Sequence, residues 1–166
     1  MKKIAIIGGG ISGLYIANLL RQNSGYEIIV YEKNNSINLE KGYGIQLSVN
    51  SIKLLNKIGF QSINLKDKFH PNKLDFYSLK NKKKICDLDI SAFNTNEIKY
   101  TTLQRFTLIN FLKEQLPDNL INYNKKVTKI SYESENIEVT FENNTSINCD
   151  YLILADGTFS KTKSLI

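Results

Sequence analysis

Four apolar residues stand together near the N-terminus, Ile4-Ala5-Ile6-Ile7, with no polar residue among them. A run without alternation predicts a strand covered on both faces, as in parallel sheets. Gly8-Gly9-Gly10 ends the run and leads into an amphipathic stretch that predicts a helix from about Ser12 to Asn23, stopped at Gly25. Glu27 to Glu32, reading Glu-Ile-Ile-Val-Tyr-Glu, predicts a second parallel strand and closes a βαβ unit. Asn50 reads as the N-cap of a helix to Ile58 that buries Ile52, Leu55 and Ile58 and stops at Gly59. Leu74 to Leu79 and Lys84 to Leu88 partly alternate, which predicts a hairpin across the Lys82-Lys83-Lys84 turn. A third helix is expected from about Leu103 to Leu116, after Thr101-Thr102 and before Pro117. Val127 to Tyr132, Ile137 to Phe141 and Thr145 to Cys149 read as strands, with a turn at Asn143-Asn144. Tyr151-Leu152-Ile153-Leu154-Ala155 is again apolar without alternation, so it predicts a central strand of the sheet that holds Ile4 to Ile7. The fold class is α/β: a βαβ unit with a parallel sheet, plus additional antiparallel strands.

Length and composition narrow the picture. A chain of 166 residues suits one compact domain, with no linker, repeat or low-complexity tract to divide it. The apolar share of 42% and charged share of 23% are those of a soluble globular protein, and no apolar run approaches the roughly 20 residues of a membrane helix, so no membrane insertion is expected. Met1-Lys2-Lys3 begins like a signal peptide, but Gly8 cuts the apolar stretch after four residues. Cys86 and Cys149, far apart and without a CxxC or a neighbouring His, fit reduced thiols in the cytoplasm and no metal site. The net charge of +6 comes from twenty Lys and two Arg scattered along the chain, so no nucleic-acid partner is expected. His70, before Pro71 in a polar stretch, reads as a surface residue, and no nucleophile-base pair or paired carboxylates stand out.

Gly8-Gly9-Gly10-Ile11-Ser12-Gly13 places glycine at the first, third and sixth positions of GxGxxG, between an apolar strand and an amphipathic helix. Gly8 permits the tight turn, Gly10 lets the backbone approach a pyrophosphate, and Gly13 allows the helix to pack on the sheet. The anion is expected at the helix N-terminus, where free N–H groups point. Glu32, 19 residues beyond Gly13, stands where a carboxylate would accept from a ribose hydroxyl and repel a 2′-phosphate. These residues alone do not separate NAD from FAD.

Four blocks together resemble the class A flavin monooxygenases, the family of salicylate, hydroxybenzoate and ubiquinone-pathway hydroxylases. They are the glycine loop with Tyr31-Glu32-Lys33, the segment Gly42-Tyr43-Gly44-Ile45-Gln46-Leu47-Ser48-Val49-Asn50, the segment Leu103-Gln104-Arg105-Phe106-Thr107-Leu108, and Ala155-Asp156-Gly157-Thr158-Phe159-Ser160-Lys161-Thr162-Lys163. The resemblance implies a Rossmann-like FAD-binding fold, with Lys33 beside the adenosine, Gly44 near the flavin, Arg105 on the FAD phosphates, and Val127, Asp156 and Gly157 as further cofactor contacts. Lys163 stands where the family carries arginine, which keeps the charge and loses the planar fork. The family's later Gly-Asp motif and most of its substrate sheet have no counterpart, so the fold is expected to be incomplete relative to the family. The resemblance implies FAD as cofactor, NADH or NADPH as hydride donor and a small aromatic molecule as substrate, while apolar sheet surface left uncovered by an incomplete fold is expected to favour self-association. The chain alone is expected to be inactive. Other FAD oxidoreductases of the epoxidase, halogenase or prenyl reductase kinds, or a non-catalytic dinucleotide-binding fragment, remain alternatives.

Overall fold

A computed structural model describes residues 1–37, 43–132 and 136–166, so Gly42 lies outside the described residues. Contacts gather into two compact units, Met1–Glu40 with Ile109–Ile166, and Lys41–Leu108. In chain order the first unit opens with β1 (Lys2–Ile7), α1 (Ile11–Leu20) and β2 (Tyr26–Tyr31). The second holds β3 (Gly44–Leu47), α2 (Val49–Asn56), β4 (Lys68–Phe69), β5 (Lys73–Tyr77), β6 (Lys84–Asp89) and β7 (Thr101–Gln104), and its boundary falls inside α3 (Arg105–Glu114). The first unit resumes with β8 (Ile121–Asn122), β9 (Val127–Tyr132), β10 (Ile137–Phe141), β11 (Ser146–Cys149) and β12 (Tyr151–Leu154).

In the first unit four parallel strands run in the order β12-β1-β2-β8. Both faces of β1 are covered, which is why Ile4 to Ile7 does not alternate. Ala5 and Ile7 join Tyr31, Val139, Phe141 and Cys149 in one buried cluster, where the antiparallel sheet β11-β10-β9 supplies the partners. The rings of Tyr31 and Phe141 lie 5.0 Å apart and tilted. Burial pushes the Tyr31 hydroxyl up, with lesser contributions from Cys149 and Glu27, and burial likewise pushes the Cys149 thiol up and keeps it neutral. Ile6 turns to the other face, where its Cγ2 lies 3.4 Å from the Cβ position at Gly13 of α1. Asn18 of α1 is buried, and its Nδ2 donates to the carbonyls of Leu14 and Leu112, tying α1 to α3.

Several elements differ from expectation. α1 ends at Leu20 rather than Asn23, because Gln22 and Asn23 donate to carbonyls three residues back and tighten the chain into a turn. Ser48, not Asn50, is the N-cap of α2. Residues 101 to 104 are strand rather than the approach to a helix, because they pair antiparallel with β3, and α3 begins only at Arg105. β12 belongs to the sheet of β1 as expected, but it is an outer strand of the described sheet rather than a central one, and Tyr151 is correspondingly exposed. β3, β4, β7 and β8 have two to four residues each, too few to show a period in sequence. His70 is half-buried: its Nδ1 lies 3.3 Å from the Tyr100 carbonyl and 3.1 Å from the Thr101 hydroxyl.

Candidate nucleotide site

The end of β1 and the end of β12 meet at the glycine loop. Gly8 sits at φ +110°, and a Cβ there would lie 2.5 Å from the Ala155 carbonyl oxygen and 2.8 Å from the Asp156 Cα. Its N–H donates to the Tyr31 carbonyl at 2.8 Å, while the Ala155 N–H donates to the Ile7 carbonyl at 2.8 Å. The first and fourth sequence blocks are therefore one structural feature, and Gly8 is fixed by sterics on both sides. Gly13 is fixed the same way, since a Cβ would overlap the Gly8 carbonyl oxygen. Gly10 is different: among the described residues a Cβ there would meet nothing within 4 Å beyond its chain neighbours. It is the N-cap of α1 in an extended conformation, φ −83°, and its carbonyl accepts the first helical bond, from Leu14. The Ile11 and Ser12 N–H groups come before that bond and have no partner among the described residues.

Glu32 follows β2 and is buried, with its carboxylate turned to the loop. Oε2 accepts from the Gly9 N–H at 2.8 Å, and Oε1 accepts from the Asn34 N–H at 3.0 Å and from Asn34 Nδ2 at 2.7 Å. The Glu32 backbone is held as well, its N–H donating to the Asn122 carbonyl and its carbonyl accepting from Lys125. Asn34 was not legible as part of this arrangement, since a side chain that folds back two residues leaves no periodic trace. Lys33 between them is exposed.

On the other side of the loop, Asp156 accepts from the Ser160 hydroxyl at 2.8 Å, and that oxygen accepts from the Lys163 N–H at 3.1 Å. Gly157, at φ +90°, makes the turn. Val127 opens β9, is the register partner of Phe141 on β10, and packs its side chain against the Phe141 cluster. The first unit thus brings together Gly8, Gly9, Gly10, Ile11, Ser12, Gly13, Glu32, Asp156 and Gly157.

Gly44 and Arg105 belong to the second unit and are neighbours there. Gly44 pairs with Gln104 across β3 and β7, and the half-buried Arg105 donates its N–H to the Tyr43 carbonyl at 3.1 Å. A hollow beside them is lined by Gly44, Phe69, Thr102, Gln104, Phe106 and Thr107. Phe69 is 66% exposed, a side chain that the sequence pattern did not single out. Among the described residues no cluster of three His, Cys, Asp or Glu could hold a metal ion, and no helix is long and apolar enough to cross a membrane.

Residues 6–39 match a family model described as an NAD(P)-binding Rossmann-like domain, and residues 106–155 match one described as a flavin containing amine oxidoreductase. The chain is 27% identical to the 6-hydroxynicotinate 3-monooxygenase of Pseudomonas fluorescens, over 97% of this chain and 42% of that protein. It is 24% identical to a salicylate hydroxylase of Pseudomonas putida, over 99% of this chain and 38% of that protein. Among solved structures, 2,6-dihydroxypyridine-3-hydroxylase from Arthrobacter nicotinovorans superposes with a TM-score of 0.80 at 21% identity, covering 98% of this chain and 39% of the other. HpxO of Klebsiella pneumoniae, solved with FAD and uric acid, gives 0.77 at 23% identity, covering 94% and 39%. The chain spans about two-fifths of the length of the relatives it matches. In sequence and fold the chain is thus similar to these monooxygenases and hydroxylases over about two-fifths of their length.

Proposed function

We propose that the chain is the FAD-binding portion of an NAD(P)H-dependent flavoprotein monooxygenase that hydroxylates a small aromatic molecule in the cytoplasm. Gly10 carries this reading. The packing of the protein explains why residues 8 and 13 are glycine, but nothing within 4 Å of a Cβ at residue 10 does. Open space beside the partnerless Ile11 and Ser12 N–H groups fits a pyrophosphate that approaches the backbone closely. FAD, when bound, would accept hydride from NADH or NADPH and activate oxygen for transfer to the ring.

The residues of the chain bind and orient. Ile11 and Ser12 donate to the pyrophosphate, and Glu32 accepts from the adenosine ribose. On the resemblance, Lys33, Gly44, Arg105, Val127, Asp156 and Gly157 complete the cofactor contacts.

Fluorescence titration of the full chain with FAD tests the reading. Saturable quenching is expected, and Glu32→Ala should weaken it about tenfold or more, the worth of a charge-assisted hydrogen bond. Absence of saturable binding, or a Glu32→Ala variant with unchanged affinity, would refute the assignment.

A further inference from the structure

We infer that Asn34 is a positioning residue that leaves the Glu32 carboxylate room for a single ribose hydroxyl. The inference rests on the nucleotide reading above and deepens it. A carboxylate offers about four acceptor positions, two on each oxygen. Three are taken within the protein: Oε1 holds both the Asn34 N–H at 3.0 Å and Asn34 Nδ2 at 2.7 Å, and Oε2 holds the Gly9 N–H at 2.8 Å. One position remains, on Oε2. The carboxylate has little freedom to turn and present another, because its residue is buried and its backbone is bonded on both sides, to Asn122 and Lys125. Asn34 is anchored in turn, its carbonyl accepting from the Asn124 N–H at 3.0 Å. A cis-diol that presents both its 2′- and 3′-hydroxyls to Glu32 would have to displace an Asn34 donor. The site therefore grips one hydroxyl strongly and leaves the other to water or to other groups.

ADP, 2′-deoxy-ADP and 3′-deoxy-ADP are suitable probes, each titrated calorimetrically into the full chain, with FAD titrated in parallel. One deoxy analogue should lose about tenfold or more in affinity, the other less than about threefold. Asn34→Ala removes the Nδ2 donor, opens a second acceptor position on Oε1, and should bring the affinities of the two analogues together. A purely structural role for Asn34 would weaken all three nucleotides in proportion and leave their ratio unchanged, so an unchanged ratio in the variant overturns the role of Asn34. Equal loss for both analogues in the wild-type chain, or no loss for either, overturns the single-hydroxyl inference even if the variant fails to fold. No binding of either ADP or FAD would overturn the nucleotide reading, and this inference with it.

Discussion

β1 with its glycine loop in the first unit and the hairpin of β5 and β6 in the second are both built from extended chain, yet they are held in opposite ways. Ile4 to Ile7 are buried on both faces, and Gly8 and Gly13 have backbone atoms where a side chain would begin. Every residue of β6 is exposed. One face of the hairpin carries interlocked charges: Lys73 reaches Asp87 at 2.8 Å, and Lys84 reaches Asp75 at 2.8 Å and Asp87 at 2.6 Å. The other face carries Leu74, Phe76, Cys86 and Leu88, with Phe76 50% exposed. Packing dictates residue identity in the first region. In the second, the backbone ladder is supplemented only by ion pairs in solvent, and such pairs are worth little each.

The sharpest break should come at Gly13. Gly13→Val drives a side chain into the Gly8 carbonyl, which backbone movement alone can relieve, and the expected loss is about 3 kcal/mol or more in denaturant unfolding. A variant as stable as wild type would show that α1 does not lie so close to the loop. A smaller contrast pairs Leu14, fully buried, with Phe76. Leu14→Ala should cost about 2–5 kcal/mol, whereas Phe76→Ala, from a side chain that is already half in water, should cost about 1 kcal/mol or less. Comparable losses from the two would erase the distinction between the regions.

That distinction also explains what was legible in sequence. The βαβ unit could be read because both faces of its strands are covered and because Gly8 and Gly13 have steric tasks. The hairpin could be read from its partial alternation. β7 misled, since Thr101-Thr102 before an apolar run has the look of a helix start and only pairing with β3 and β4, both distant in sequence, makes it a strand. β12 misled more mildly: its apolar run implied cover on both sides, whereas it stands at the outside of the described sheet. Of the candidate site, the loop, Glu32 and Asp156 were legible as a motif, but the contact of Gly8 with the Ala155-Asp156 turn and the hold of Asn34 on Glu32 depend on tertiary structure.

The smallest expected effect concerns the charged face of the hairpin. Hydrogen bonds from Lys73 and then Lys84 bring the Asp87 carboxyl down to about 2. A lowered carboxylate pKa adds stability that is present above the unfolded value of about 3.9 and lost as pH falls through about 2. Carboxyl chemical shifts followed by NMR from pH 5 to pH 1.5 should place the Asp87 midpoint near the lower value. A midpoint at the ordinary Asp value would mean that the ion pairs do not persist in solution.

The central claim is that the opening at Gly10 exists for a ligand and not for the fold, and substitution of that one residue tests it most directly. Gly10→Val places a side chain where, apart from its own chain neighbours, no atom of the described residues lies within 4 Å of the Cβ position. The account predicts a near-wild-type melting temperature and far-UV circular dichroism spectrum, with FAD quenching abolished. A folded Gly10→Val chain that binds FAD as tightly as wild type would contradict it.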